Sequence, residues 1–160
     1  PKSLELVLNQ IPKVDILIDD GGHTMAQQIN TFNVFFHHVK DDGIYLCEDI
    51  HTSYWSEFYG GYKKKSTFIE FSKNLIDNIH AWYSKHKKLT VNDKTKSIFG
   101  LHFYDSILVI EKRIIHKPAM VKTGRPTISG FETPLSLKQN LYKLWRKAIS
   151  ILGFENEHIS

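Results

Sequence analysis

The sequence predicts an α/β protein whose core is half of a doubly wound sheet: two parallel strands, an antiparallel hairpin, helices on both faces and a separate C-terminal helix. Three observations carry this expectation. Two apolar runs, at residues 14–18 and 44–47, each stop at an acidic cluster. One helix-length amphipathic segment lies between them, which is the spacing of a strand, a crossover helix and a parallel strand. Further on, residues 98–103 and 107–111 flank a tight polar break at Tyr104-Asp105-Ser106 and read as a hairpin.

The elements follow in order. Residues 4–8 are a short helix-like segment, and residues 14–18 (Val-Asp-Ile-Leu-Ile) are the first strand, closed by a turn at Gly21-Gly22. Thr24, three residues ahead of Gln27, matches a capping box. The helix it starts places Met25, Ile29, Phe32, Phe35, Phe36 and Val39 on one face, and Asp41-Asp42-Gly43 is expected to end it. Residues 44–48 form the second strand, apolar enough to be covered on both faces. Residues 50–65 read as a loop rich in aromatics and glycine. A second capping box, Thr67 with Glu70, opens a helix carrying Phe68, Phe71, Leu75, Ile76, Ile79, Trp82 and Tyr83. A polar stretch and the hairpin come next. Residues 117–132, with Pro118, Gly124, Pro126 and Gly130, read as a linker. Thr133-Pro134 then starts a last helix with the stripe Leu137, Leu141, Leu144, Trp145 and Ala148, a docking surface for a missing segment or a partner subunit. The expected division is therefore residues 1–116, a linker at 117–132, and a helix and tail at 133–160.

With 160 residues, 41% of them hydrophobic, the chain can bury one sizeable core and is too short for two ordinary domains. Lys and Arg exceed Asp and Glu by 21 to 17, and the excess sits in Lys63-Lys64-Lys65, residues 85–88 and the last helix. Solvated faces account for so mild an excess, so no nucleic-acid partner is expected. No stretch approaches the roughly 20 apolar residues of a membrane span, and no membrane partner is expected either. The start carries no signal-peptide pattern. The single cysteine, Cys47, excludes an internal disulfide and fits a reducing compartment, with the cytoplasm as the default. Because the chain opens on Pro1 and runs at once into a helix, it reads as a fragment of a longer protein.

The chemistry concentrates at the ends of the two parallel strands. Asp19-Asp20-Gly21-Gly22-His23 follows the first, and Glu48-Asp49 follows the second. Adjacent parallel strands lie about 4.8 Å apart and finish on the same edge, where open α/β sheets bind ligands. Carboxylates and a histidine converging there suit a hard cation and a base. Strand alternation sets a condition. Only one of Asp19 and Asp20 can face the cation, with Asp19 the better turn anchor, and Glu48 and Asp49 can both reach it only if the chain leaves the strand at Asp49.

Taken together, Ile18-Asp19-Asp20-Gly21-Gly22-His23 and residues 47–55 (Cys-Glu-Asp-Ile-His-Thr-Ser-Tyr-Trp) resemble the metal-dependent sugar O-methyltransferases of macrolide biosynthesis, the mycinamicin and macrocin type, with cephalosporin-hydroxylase-like relatives. The likeness covers roughly residues 10–112 and includes residues 101–106 of the hairpin. It implies a Rossmann-like class I fold, S-adenosylmethionine as methyl donor and magnesium held by Asp20, Glu48 and Asp49, with His23 as base. It also implies an acceptor bearing a sugar. His51, Tyr54 and Trp55 could stack on that sugar or equally pack the loop onto the core. Family members often carry Ser where this chain has Gly22. The family's glycine-rich cofactor loop has no counterpart, since no Gly-x-Gly-x-Gly occurs and the chain starts near the fourth strand of the usual seven. The expectation is therefore the C-terminal half of such an enzyme, completed by a missing N-terminal half or by a homo-oligomer. The alternative is a truncated, non-catalytic module retaining the metal site or only the fold. A metal-dependent hydrolase fits less well, because no second metal site or nucleophile accompanies the cluster.

Overall fold

A computed structural model of the chain describes residues 2–121, 123–124 and 137–151. They fall into two compact units, Pro1–Ala119 and Met120–Ser160. The first contains α1 (Lys2–Leu8), β1 (Val14–Asp19), α2 (Met25–Phe35), β2 (Val39–Cys47), α3 (Phe68–His80), α4 (Asp93–Ser97), β3 (Ile98–Tyr104) and β4 (Ile107–Lys112). The second contributes α5 (Leu137–Ile151), and the expected helix start at Thr133-Pro134 lies outside the described residues.

The sheet has the order β1-β2-β4-β3. β1 and β2 run parallel, and β4 pairs antiparallel with both β2 and β3, so the parallel pair and the hairpin share one sheet. Tyr45, paired with Ile110, faces α2 and α3. There Phe32 meets Tyr45 edge-on at 5.3 Å and Phe71 at 5.4 Å. Phe32, Phe36, Phe68, Leu75, Leu108 and Ile110 are fully buried around them. Burying aromatic rings of this size is the main stabilising term of the unit. On β1, Ile16 and Ile18 are both 61% exposed, so the opposite face of that strand is open among the described residues.

The sequence reading needs two corrections, the smaller being that α3 ends at His80 and Trp82 and Tyr83 fall in a 3-10 turn, Ala81–Tyr83, that tightens its end. Asp41-Asp42-Gly43 does not end a helix: α2 stops at Phe35, a single 3-10 turn covers Phe36–His38, and β2 already begins at Val39. Val39 is a fully buried strand residue paired with Val14, not part of a helix face. The acidic triplet is an irregularity inside β2, where the register moves from Val14↔Val39 to Ile16↔Ile44 and Asp42 takes a left-handed φ of 67°. Two features favour strand over helix. Lys112 Nζ donates to the carbonyls of Phe36 and Val39, satisfying groups that a longer helix would have used. Lys40 also pairs with Asp15 at 3.0 Å across the β1–β2 ladder. A side chain at Gly43 would meet Asp15 O at 2.6 Å, so the strands' close approach there requires glycine. The loop at 50–65 is partly ordered as two 3-10 turns, Ile50–Tyr54 and Ser56–Phe58.

Candidate metal centre

Each half of the candidate site hangs on a strand end. Asp19 closes β1 and points inward, 6% exposed, where Tyr45 Oη donates to its Oδ2 at 2.6 Å. Burial raises the Asp19 carboxyl pKa, with hydrogen bonds from Tyr45 and the Gly21 backbone opposing the shift. Burial also raises Cys47, 3.9 Å from the same oxygen, well above the ordinary thiol range, so this thiol is an inert core group. With Asp19 anchored below, Asp20 emerges on the exposed side, the split that strand alternation demanded.

The Asp49 backbone resolves the condition set for the second strand. Glu48 N donates to Asp19 O at 3.0 Å, extending the parallel ladder one step beyond β2. Asp49 then takes a left-handed conformation, φ 54° and ψ 33°, and starts the turn Ile50–Tyr54. The chain thus leaves the strand at Asp49, and its carboxylate comes round to the first loop. Asp20, His23 and Asp49 each offer a ligand atom within 4.8 Å of the others. His23 Nε2 stands 3.7 Å from Asp49 Oδ2, and His51 Nδ1 stands 3.8 Å from Asp49 Oδ1. Glu48 is half-buried and is not among the three side chains that meet.

Two residues that sequence reasoning missed hold the loops together. Gln28, 2% exposed on α2, donates from Nε2 to Glu48 O at 3.1 Å, with Asp49 O at 3.5 Å. Thr52 Oγ1 lies 3.0 Å from His23 O and 2.8 Å from Asp49 O, so its one hydrogen is shared between the carbonyls of both loops. The signal for Gln28 was present: a polar residue between Met25 and Ile29 on an otherwise apolar face. Thr52 carried none. Gly22 has a local reason as well. A Cβ there would lie 2.3 Å from Gln27 Cδ, and Gln27 Oε1 is engaged by the Thr24 backbone N–H at 3.2 Å and by the Thr24 hydroxyl at 2.6 Å. Glycine at 22 and the reciprocal cap on α2 go together.

The aromatic residues sit beside the cluster. Phe58 approaches His23 edge-on at 6.2 Å, and Trp55 meets His51 at 4.7 Å and 72°. Tyr54 and Trp55 remain about half exposed, 51% and 49%, so neither is consumed by the core. His51 is also tied through Nδ1 to Ser106 Oγ in the hairpin turn, and Ile50 N donates to Ser106 O at 3.1 Å. The β3–β4 turn therefore supports the aromatic loop, and an open cleft of about 470 Å³ lies between them, lined by His51, Tyr54, Ile76 and Phe103 among others. Two carboxylates and an imidazole at an exposed strand edge fit a hard divalent cation whose remaining positions water or an acceptor hydroxyl can fill.

No protein-family model matches the chain. Among curated proteins, 8-demethyl-8-alpha-L-rhamnosyl tetracenomycin-C 2'-O-methyltransferase of Streptomyces olivaceus is 34% identical over 115 residues, covering 71% of this chain and 30% of that protein. Mycinamicin VI 2''-O-methyltransferase of Micromonospora griseorubida is 32% identical over 113 residues, covering 68% of this chain and 28% of that protein. Among solved structures, the MycE methyltransferase in complex with Mg, SAH and mycinamycin VI superposes with a TM-score of 0.66 at 27% identity. That match covers 89% of this chain and 35% of MycE. By sequence and by fold, the chain is a homologue of these sugar O-methyltransferases and spans about a third of their length.

Proposed function

We propose that this chain is the metal-binding and acceptor-binding part, the C-terminal half, of a magnesium-dependent O-methyltransferase that uses S-adenosylmethionine and acts on a sugar hydroxyl of a natural product or glycan. The convergence of Asp20, His23 and Asp49 within 4.8 Å supports this reading most directly. It occurs in a chain whose relatives are named as sugar O-methyltransferases and whose structural neighbour is a complex with Mg and SAH. A bound magnesium ion supplies Lewis acidity that lowers the acceptor hydroxyl pKa, and S-adenosylmethionine supplies the methyl group. Asp20 and Asp49 hold the cation, with Glu48 as the third proposed oxygen ligand, its backbone fixed beside them by Gln28. His23 takes the hydroxyl proton on its imidazole, and the carbonyl of the same residue is held by Thr52. His51, Tyr54 and Trp55 form a wall for the sugar ring. A sole, buried cysteine suits work in a reducing compartment such as the cytoplasm.

A non-catalytic module that keeps only the metal site is the second reading. It needs only the meeting of Asp20, His23 and Asp49, which draws on no methyl-donor site. Calorimetry with magnesium and with a glycoside acceptor separates the two. Binding of both supports the enzyme half, and binding of magnesium alone supports the module. Failure of the unsubstituted chain to bind magnesium sinks both readings of the site.

A further inference from the structure

The last helix is one of the basic stretches of this protein, and it carries no acidic residue to offset its cations. Four of the 21 Lys and Arg residues (Lys138, Lys143, Arg146 and Lys147) lie in α5. The same helix carries an uncovered apolar stripe. Leu137, Leu141, Leu144 and Trp145 recur at helical spacing and are 82%, 60%, 64% and 56% exposed. At about 100° per residue, Lys138 borders the stripe on one side and Lys147 on the other, while Lys143 and Arg146 lie towards the back. Lysines at such borders can lay their alkyl stems along an apolar surface and reach outward with the ammonium group. The Tyr142 and Trp145 rings lie 6.0 Å apart at 31°, both half exposed, and such rings favour the headgroup level of a bilayer.

We propose that α5 binds in the plane of an anionic phospholipid surface, with the leucine and tryptophan stripe in the acyl boundary and the four cations among headgroup phosphates. At 15 residues the helix is about 22 Å long, and no helix of the described residues is long and apolar enough to cross a membrane. Surface binding needs neither length nor an uncharged sequence, so the missing span that argued against a membrane partner does not bear on it. A second copy of α5 is a poorer occupant, because pairing would bring two +4 helices together with no acidic residue on either to offset the repulsion. None of these residues belongs to the candidate metal centre, so the inference stands or falls apart from methyl transfer.

The test uses the whole chain with vesicles of phosphatidylcholine alone or mixed equally with phosphatidylglycerol, in about 0.1 M salt. We expect co-sedimentation with the anionic vesicles at least about tenfold stronger than with the neutral ones, weakening as salt rises. A blue shift in tryptophan emission should accompany it and vanish in Trp145→Phe, although Trp55 and Trp82 remain. Replacing both Lys138 and Lys147 with Gln should weaken binding about 25-fold, roughly fivefold per charge. Leu141→Glu with Leu144→Glu should abolish binding while magnesium binding by the first unit is unchanged. Equal affinity for both vesicle types, no binding to either, or self-association that shifts Trp145 emission without lipid would each overturn the proposal.

Discussion

Asp49 shows how one backbone conformation decides which side chains a strand-end carboxylate can meet. In a continuing strand its carboxylate would point away from Glu48; at φ 54° it comes round to His23 and Asp20. Asn tolerates this left-handed conformation almost as well as Asp, whereas Ala pays about 1–2 kcal/mol for it. Asp49→Asn should therefore fold with nearly wild-type stability and lose magnesium affinity by about 10- to 100-fold or more, the range seen when metal sites are disturbed. Asp49→Ala should lose a similar affinity and also about 1 kcal/mol in urea denaturation. Equal magnesium affinity in Asp49→Asn and wild type would remove Asp49 from the site. Asp20→Asn should behave like Asp49→Asn, while His23→Gln should retain magnesium binding within about threefold if His23 is a base and not a ligand. The meeting of Asp20, His23 and Asp49 was legible because their residue types and strand-end positions carry chemical meaning, although Glu48, expected with them, is not among the side chains that meet. The roles of Gln28 and Thr52 were not, because their hydrogen bonds run to backbone carbonyls whose positions only the fold defines.

Among the elements, periodicity located β1, α2, α3 and the hairpin, and the errors came where a local signal had two meanings. Gly43 after two Asp residues is a good helix stop, yet here it is the close-approach residue of a strand. Helix α4 went unread although its signal was present: Asn92 Oδ1 accepts from Thr95 N at 3.1 Å, and Thr95 Oγ1 accepts from Asn92 N at 3.2 Å. Asn92→Ala should cost about 1 kcal/mol, the usual loss for an N-cap, with no change in magnesium affinity. This short helix matters because Lys94 lies over the rings of Phe32 and Phe71, at 5.3 Å and 5.0 Å. Burial lowers the Lys94 pKa below its ordinary 10.5. The folded state therefore binds fewer protons than the unfolded chain between the lowered value and 10.5, and the Lys94 contribution to stability rises with pH through that window. Lys94→Met keeps the stem against both rings and removes the titration. The stability of wild type relative to Lys94→Met should thus improve between pH 8 and pH 10.5, and urea denaturation giving the same difference at both pH values would contradict this.

At the scale of the whole molecule, the sheet ends on two edge strands, β1 and β3, each paired on one side only among the described residues. The order β1-β2-β4-β3 puts β1 at an edge, and among the described residues nothing pairs with its outer side. Sequence pattern made the parallel pair and hairpin legible, but the extent of the open surface was not, because exposure depends on what packs above a strand and not on the strand itself. Ile16 and Ile18 lie on one face of β1, each 61% exposed, beside a groove of about 510 Å³ also lined by Ile11, Val14 and Phe35. An edge with unpaired backbone groups and apolar side chains is a template for another strand, and the charges that usually protect such edges are here partly neutralised by the Lys40–Asp15 pair. The chain on its own should therefore self-associate through β1, with a light-scattering mass that rises with concentration. Replacing Ile16 and Ile18 with Lys should return it to the monomer mass without reducing magnesium affinity, because neither side chain enters the Asp20, His23 and Asp49 cluster. Leu141→Glu with Leu144→Glu should leave the mass unchanged, which separates association through the sheet edge from any association through α5. A wild-type mass that stays monomeric over a hundredfold range of concentration would show that the β1 edge is protected despite its exposure.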